Sequence, residues 1–177
     1  NVAPGSTEWW LARPVWFAAG VTEAEEEAVL HAHRKALQHS HRLLLILMPE
    51  DPARAAPLAE RLEAEGWAIA QRAQDEEPEP EIEIFVADSP AEYGLWYRLA
   101  PVSFLGGSLL GKGPTRTPME AAALGSAILH GPRTGVAGPA ASSGVRMTVG
   151  ATTGRNPSAA TASARWASAS SITRVAA

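Results

Sequence analysis

The residues best suited to chemistry lie in one segment, 101–132, where small and polar side chains follow a short apolar run. Gly106–Ser108 comes directly after the apolar run Val102–Leu105. Adjacent glycines let a ligand approach main-chain N–H groups, which can bind anions. Further along, Thr117–Glu120 has the spacing of a capping box with proline at the first helical position, which predicts a helix start. Alone, such a segment is more often a tight connection before a capped helix, so its meaning depends on the surrounding elements.

The surrounding elements alternate between strands and helices. Apolar runs predict strands at 15–19, 42–48, 67–70, 82–86, 102–105 and 127–129. Caps and helical spacing predict helices that begin near residues 22, 53, 88 and 118, and Thr22 and Glu25 have the spacing of a capping box at the first of them. This alternation predicts an α/β fold, with a Rossmann-like parallel sheet flanked by helices.

Polar or glycine residues follow four of the predicted strands. They lie at 20–23, 49–51, 88–92 and 106–120. Right-handed crossovers place the carboxyl ends of parallel strands at one edge of the sheet, and helix N-termini there favour anions. We therefore expect a ligand site at this edge.

Composition narrows the class of protein. A chain of 177 residues with 46% hydrophobic residues is long enough for one substantial core. The net charge of −4 gives no general attraction to nucleic acid, so no nucleic-acid partner is expected. The absence of cysteine excludes disulfides and thiolate metal sites. No metal is expected from the histidines either, since His31 and His33 would lie on different faces of a helix and His39 and His41 in a turn.

Seven short motifs then occur in order between residues 13 and 132. They are R-P-V-W-F-A-A at Arg13–Ala19, E-A-E-E-E-A-V-L-H-A-H at Glu23–His33, L-L-I-L-M-P at Leu44–Pro49, Asp88 with Glu92, F-L-G-G-S-L at Phe104–Leu109, P-M-E-A-A-A at Pro118–Ala123 and H-G-P at His130–Pro132. In this order and spacing they resemble the C-terminal half of the 3-deoxy-D-manno-octulosonic acid (Kdo) transferases of lipopolysaccharide synthesis. These are two-domain GT-B glycosyltransferases that move Kdo from CMP-Kdo to a lipid A precursor. The resemblance implies a Rossmann-like nucleotide-sugar-binding domain over 1–134, one half of a GT-B fold.

The resemblance also implies that this half binds the CMP part of the donor. Carried over by position, the donor contacts are Pro90, Ala91, Glu92, Gly107, Ser108, Thr117, Pro118, Met119 and Glu120, with Arg116 as a candidate phosphate contact. We expect the glycine turn and the helix N-terminus at Pro118 to hold the phosphate through N–H groups. Glu120 or Glu92 is expected to accept hydrogen bonds from ribose hydroxyls or the cytosine amine.

In that family the acceptor site, the carboxylate that acts as general base and any membrane anchor lie in the N-terminal domain. The resemblance therefore implies no catalytic residue in this chain, no cofactor, and no sugar transfer by the fragment alone. The lipid A precursor would be reached through the missing domain. The resemblance also implies that the full-length protein lies at the cytoplasmic face of the bacterial inner membrane. We expect the fragment itself to be soluble, because no run has transmembrane length and no signal-peptide pattern is present.

The chain departs from the family pattern at several strand ends. Glu50-Asp51 replaces the usual Arg-His, and two carboxylates repel an anionic sugar nucleotide. Arg116, in a loop one residue longer than usual, is expected to supply the missing positive charge. Whether the acidic pair changes donor choice stays open. So do two alternative functions: a GT-B transferase or epimerase that uses a UDP-sugar, and a non-catalytic nucleotide-binding module.

The segment 135–177 fits neither the fold nor the resemblance. It is rich in Ala, Ser, Gly and Thr and contains no Asp, Glu or Lys. Two interpretations stay open for this tail: a flexible appendage, and a shifted reading frame in a GC-rich gene. At the other end, Trp9 and Trp10 are expected to cover an edge of the core.

Overall fold

A computed structural model describes residues 13–76, 78–110 and 115–133, and its centre is a six-stranded sheet. The tryptophan pair and the tail interpreted above lie outside these described residues. The strands are β1 (Val15–Val21), β2 (Leu44–Pro49), β3 (Ile69–Gln71), β4 (Ile84–Val86), β5 (Val102–Leu105) and β6 (Ala127–Leu129). Their order is β3-β4-β2-β1-β5-β6 and every pair is parallel. The predicted Rossmann-like parallel sheet is therefore confirmed.

Helices cover both faces of the sheet, as predicted. They are α1 (Glu23–Leu37), α2 (Ala55–Ala64), α3 (Tyr93–Leu99) and α4 (Met119–Ala123). One apolar cluster packs residues of α1 and α2 against one face, and a second packs residues of α3 and α4 against the other. Strands β1 and β2 lie between these clusters and are buried along their whole length, because parallel strands covered on both faces leave no side exposed to water. Among the described residues, no helix is long and apolar enough to cross a bilayer.

Two helix starts differ from the prediction. The helix expected from Asp88 begins as a 3₁₀ turn, Pro90–Glu92, and becomes α-helical only at Tyr93. The capping box expected around Pro118 is not formed, so that prediction is wrong. Pro118 is itself the N-cap residue, so the helix begins one residue later than predicted and Ala121, which has no carboxylate, takes the third helical position in place of Glu120. The hydroxyl of Thr117 lies 3.4 Å from the N–H of Met119, the one side-chain contact at this end.

The four histidines considered above as metal ligands have two kinds of environment. His31, His39 and His41 are exposed, whereas His33 is completely buried. The indole N–H of Trp16 donates to Nδ1 of His33 at 3.1 Å, which leaves the ring proton on Nε2, 3.0 Å from the carbonyl oxygen of Glu83. Burial lowers the pKa of His33 to about 4, so the ring is neutral and serves the core.

Candidate functional site

The chain leaves β1 and β5 at the same edge of the sheet, and the two exits touch. β1 lies between β2 and β5, so the strand order reverses here, which is where ligands bind in open α/β sheets. The N–H of Gly106 donates to the carbonyl oxygen of Ala19 at 2.8 Å. A Cβ atom on Gly106 would overlap the carbonyl group of Gly20, so only glycine allows this approach. The glycine pair therefore first serves to bring two strand ends together.

A buried carboxylate fills the turn that follows. Glu25 in the first turn of α1 is inaccessible to water, and its oxygens accept five hydrogen bonds. Two come from the N–H and hydroxyl of Thr22, at 3.1 and 2.9 Å, so the capping box predicted at this helix is present. Three come from the N–H groups of Gly107, Leu109 and Leu110, at 2.7, 2.8 and 3.3 Å.

This arrangement changes the predicted role of the glycine turn. The N–H of Gly107 already donates to the carboxylate of Glu25, so a phosphate held by this N–H would have to share or replace that bond, and the phosphate contact stays a prediction. Ser108 is committed as well: its hydroxyl donates to the carbonyl of Leu105 and accepts the N–H of Gly131. Both residues remain predicted donor contacts, but the polar groups named here already have partners.

Beside this turn, the guanidinium group of Arg116 lies over an aromatic ring. Its guanidinium carbon is 3.5 Å from the centre of the Tyr93 ring, a close cation–π contact. The N–H of Arg116 donates to the carbonyl oxygen of Gly106 at 3.3 Å. Burial raises the pKa of Tyr93 and of Tyr97, against the opposing charge of Arg116, so both phenols stay protonated at neutral pH.

A hollow opens in front of this arginine. It has a volume of about 340 Å³ and is lined by Gly20, Glu50, Thr115, Arg116 and Thr117. Gly20 has a φ of +65°, and a Cβ there would lie 2.8 Å from Cδ of Arg116, so the glycine leaves room for the arginine. Of the predicted contact set, Arg116 and Thr117 line the hollow.

The remaining predicted contacts lie around it or have other partners. Glu92 is paired with Arg72, whose guanidinium nitrogen is 2.9 Å from a Glu92 oxygen. Glu120 is exposed on α4, with one oxygen beside Gly94 of α3, and so can accept a hydrogen bond from a ligand. Pro90, Ala91, Pro118 and Met119 do not line the hollow.

The two acidic residues that replace the expected Arg-His have separate roles. Asp51 caps the 3₁₀ turn Pro52–Arg54, because its Oδ1 accepts the N–H of Ala53 at 3.0 Å. Glu50 lines the hollow and contributes negative charge near Tyr93. Within the described residues, no group of three or more His, Asp or Glu side chains is placed to hold a metal ion.

Sequence reasoning missed several residues of this edge. The sequence does not predict roles for Arg72 and Tyr93, because their partners, Glu92 and Arg116, are about 20 residues away in the sequence. Glu25 did give a signal, the capping-box spacing, but that spacing accounts for only two of its five hydrogen bonds. Gly20 lies in the segment 20–23 that was predicted to face a ligand, but the sequence does not show that it leaves room for Arg116.

The comparisons with known proteins agree with this architecture. No protein-family model matches the chain. It is 33% identical over 128 residues to the 3-deoxy-D-manno-octulosonic acid transferase of Haemophilus influenzae, covering 72% of the chain and 30% of that relative. It is 36% identical over 129 residues to the enzyme of the same name from Bordetella pertussis, covering 69% of the chain and 29% of that relative.

A solved structure agrees with these relatives. The C-terminal CMP-Kdo binding domain of WaaA from Acinetobacter baumannii superposes with a TM-score of 0.66 at 29% identity, covering 72% of this chain and 66% of that chain. The fold and the site thus define a Rossmann-like α/β domain of the kind that forms half of a glycosyltransferase. The chain belongs to the Kdo transferase family and corresponds to its C-terminal domain. It spans 30% of the length of the Haemophilus relative.

Proposed function

We propose that this chain is the donor-binding part of a Kdo transferase, which binds CMP-Kdo so that Kdo can be transferred to a lipid A precursor in lipopolysaccharide synthesis. The observation that carries the proposal is the hollow at the reversal of strand order, with Arg116 on its wall, in a domain similar to a CMP-Kdo binding domain. Acceptor binding and proton abstraction are assigned to the rest of a longer enzyme at the cytoplasmic face of the inner membrane. The fragment alone is expected to bind nucleotide without transferring sugar.

Arg116 suits the anionic part of such a donor. A guanidinium group makes paired hydrogen bonds to phosphate. The contact with Tyr93 already restricts the orientation of Arg116, so the side chain loses less conformational entropy on binding. Glu25 already accepts hydrogen bonds from the glycine turn, and among the described residues that line the hollow Arg116 carries the positive charge. Glu120 is the carboxylate available for ribose hydroxyls or the cytosine amine.

Calorimetry with CMP, UDP and CMP-Kdo tests the proposal. We expect binding of CMP and CMP-Kdo, weaker binding of UDP, and loss of about tenfold in CMP affinity in Arg116→Gln, as for the loss of one charge-assisted contact. Arg98→Gln is the matched control, because Arg98 is exposed at the end of α3 and lines no part of the hollow. Preference for UDP would favour a UDP-sugar enzyme, and absence of binding to all three would refute the proposal.

A further inference from the structure

We propose that Glu25 is a positioning residue of the donor site: its carboxylate is a built-in anion that holds the turn 107–110 in the shape that places Arg116. This inference rests on the proposed function for its consequence, donor binding. Its physical basis, the anchored turn, is independent of any ligand.

The geometry around Glu25 is that of an anion site whose anion belongs to the protein. One carboxylate oxygen accepts the N–H of Gly107 at 2.7 Å, and the other accepts those of Leu109 and Leu110, at 2.8 and 3.3 Å. Successive N–H groups in a glycine turn that converge on one point form a concavity typical of phosphate binding. Here the occupant comes from α1, more than 80 residues earlier in the sequence.

The turn held by Glu25 also holds the segment that carries Arg116. The carbonyl oxygen of Gly106 accepts the N–H of Arg116, and that of Gly107 accepts the hydroxyl of Thr115, both at 3.3 Å. Each bond is long and individually weak. Because both bonds are weak, they keep Arg116 on Tyr93 only while the turn holds its carbonyl oxygens in place.

No other side-chain type satisfies this turn. Glutamine has one oxygen and one NH₂ group, so its NH₂ would face N–H donors whichever way the amide is turned. Alanine leaves the buried N–H of Gly107 and the partly buried N–H of Leu109 without an acceptor, which is costly. Aspartate keeps the charge but is shorter by one methylene. We therefore expect the loss of CMP affinity to increase from Glu25→Asp to Glu25→Gln to Glu25→Ala.

Chemical rescue gives the most specific test. Glu25→Ala removes the carboxylate and leaves space for formate, which supplies the same two oxygens without a covalent link. We expect CMP affinity in Glu25→Ala to fall about tenfold or more, the cost of unpaired donors near the site, and formate to restore it, while chloride at equal ionic strength does not. Glu27→Ala, an exposed glutamate on the same helix, is the matched control and should be unaffected by either salt.

The role of Glu25 in holding the turn can also be measured without a nucleotide, so this test does not depend on the proposed function. In wild type, NMR signals of the Gly107 and Leu109 N–H protons should lie downfield, and that of Arg116 Nε should be shifted by the Tyr93 ring. All three signals should move toward unfolded values in Glu25→Ala and return with formate.

Several outcomes would overturn the proposal. If Glu25→Ala does not fold, Glu25→Asp and Glu25→Gln replace it, and a CMP affinity of Glu25→Gln that is no lower than that of Glu25→Asp overturns the proposal. CMP affinity of Glu25→Ala within twofold of wild type, or unmoved Arg116 signals, overturns it as well. Failure of wild type to bind CMP refutes the proposed function, and the NMR signals alone then test whether Glu25 holds the turn 107–110.

Discussion

Lowering the pH should destabilise this domain through His33 specifically. The folded protein keeps this ring neutral down to a pKa of about 4, whereas in the unfolded chain it binds a proton near its ordinary pKa of 6.5. Between these values the unfolded state binds more protons, so the free energy of unfolding decreases as the pH falls from about 6.5 toward about 4. Above this window the ring is neutral in both states and contributes no pH dependence.

The size of the effect follows from the separation of the two pKa values. Within the window each pH unit removes up to about 1.4 kcal/mol, and integration from about pH 7.5 to about pH 5 gives a loss of about 2 kcal/mol. The structural cause is that a charged ring would have to give up Nδ1 as the acceptor for Trp16 while remaining out of water.

Urea denaturation of wild type and His33→Gln at several pH values measures this loss. Glutamine does not titrate. The free energy of unfolding of wild type minus that of His33→Gln should therefore decrease by about 2 kcal/mol from about pH 7.5 to about pH 5, whatever its value at neutral pH. His31→Gln is the matched control, because His31 is exposed on the same helix. A difference between wild type and His33→Gln that stays constant with pH would refute the reasoning.

Three further predictions concern the hollow and its rim. Gly20→Ala should destabilise the fold by about 1–2 kcal/mol and weaken CMP binding, since its Cβ would lie 2.8 Å from Cδ of Arg116; Gly125→Ala, also at positive φ but with nothing within 4 Å, should leave CMP affinity unchanged. Glu50→Gln should raise CMP affinity about fivefold at low salt and less at high salt, because it removes a negative charge from the wall; equal affinities would contradict this. Glu120→Ala should abolish the preference for CMP over dCMP if Glu120 accepts the ribose 2′-hydroxyl, and a preserved preference would exclude that contact.

The sequence was sufficient for the fold because each element carries its own local signal. The run L-L-I-L-M-P at Leu44–Pro49 is short, continuously apolar and ended by proline, which is typical of a strand covered on both faces, and it forms β2. Thr22 and Glu25 have the capping-box spacing, and α1 begins between them at Glu23. Two helix starts were predicted imprecisely. The helix expected from Asp88 begins with the 3₁₀ turn Pro90–Glu92, and the helix near Pro118 begins one residue later than predicted, which leaves Ala121 at the capping-box position.

The site was less accessible from sequence because its contacts join distant residues. The N–H groups of the glycine turn were predicted to face a phosphate, and only the fold shows that Glu25 reaches them first. Likewise Glu92 is predicted to contact the donor, and the sequence does not show that Arg72, directly after β3, pairs with it. Local patterns predict where a turn lies. They do not predict which side chain from another element will satisfy it.

The central claim is that CMP binds in the hollow at the exits of β1 and β5. The most direct measurement is an NMR titration of the ¹⁵N-labelled protein with CMP, which reports every main-chain N–H separately. The account predicts the largest shift changes at Gly20, Glu50, Thr115, Arg116 and Thr117, with saturation at a single affinity. Changes concentrated instead at the opposite edge of the sheet, around Gln38 and Trp67, would contradict it.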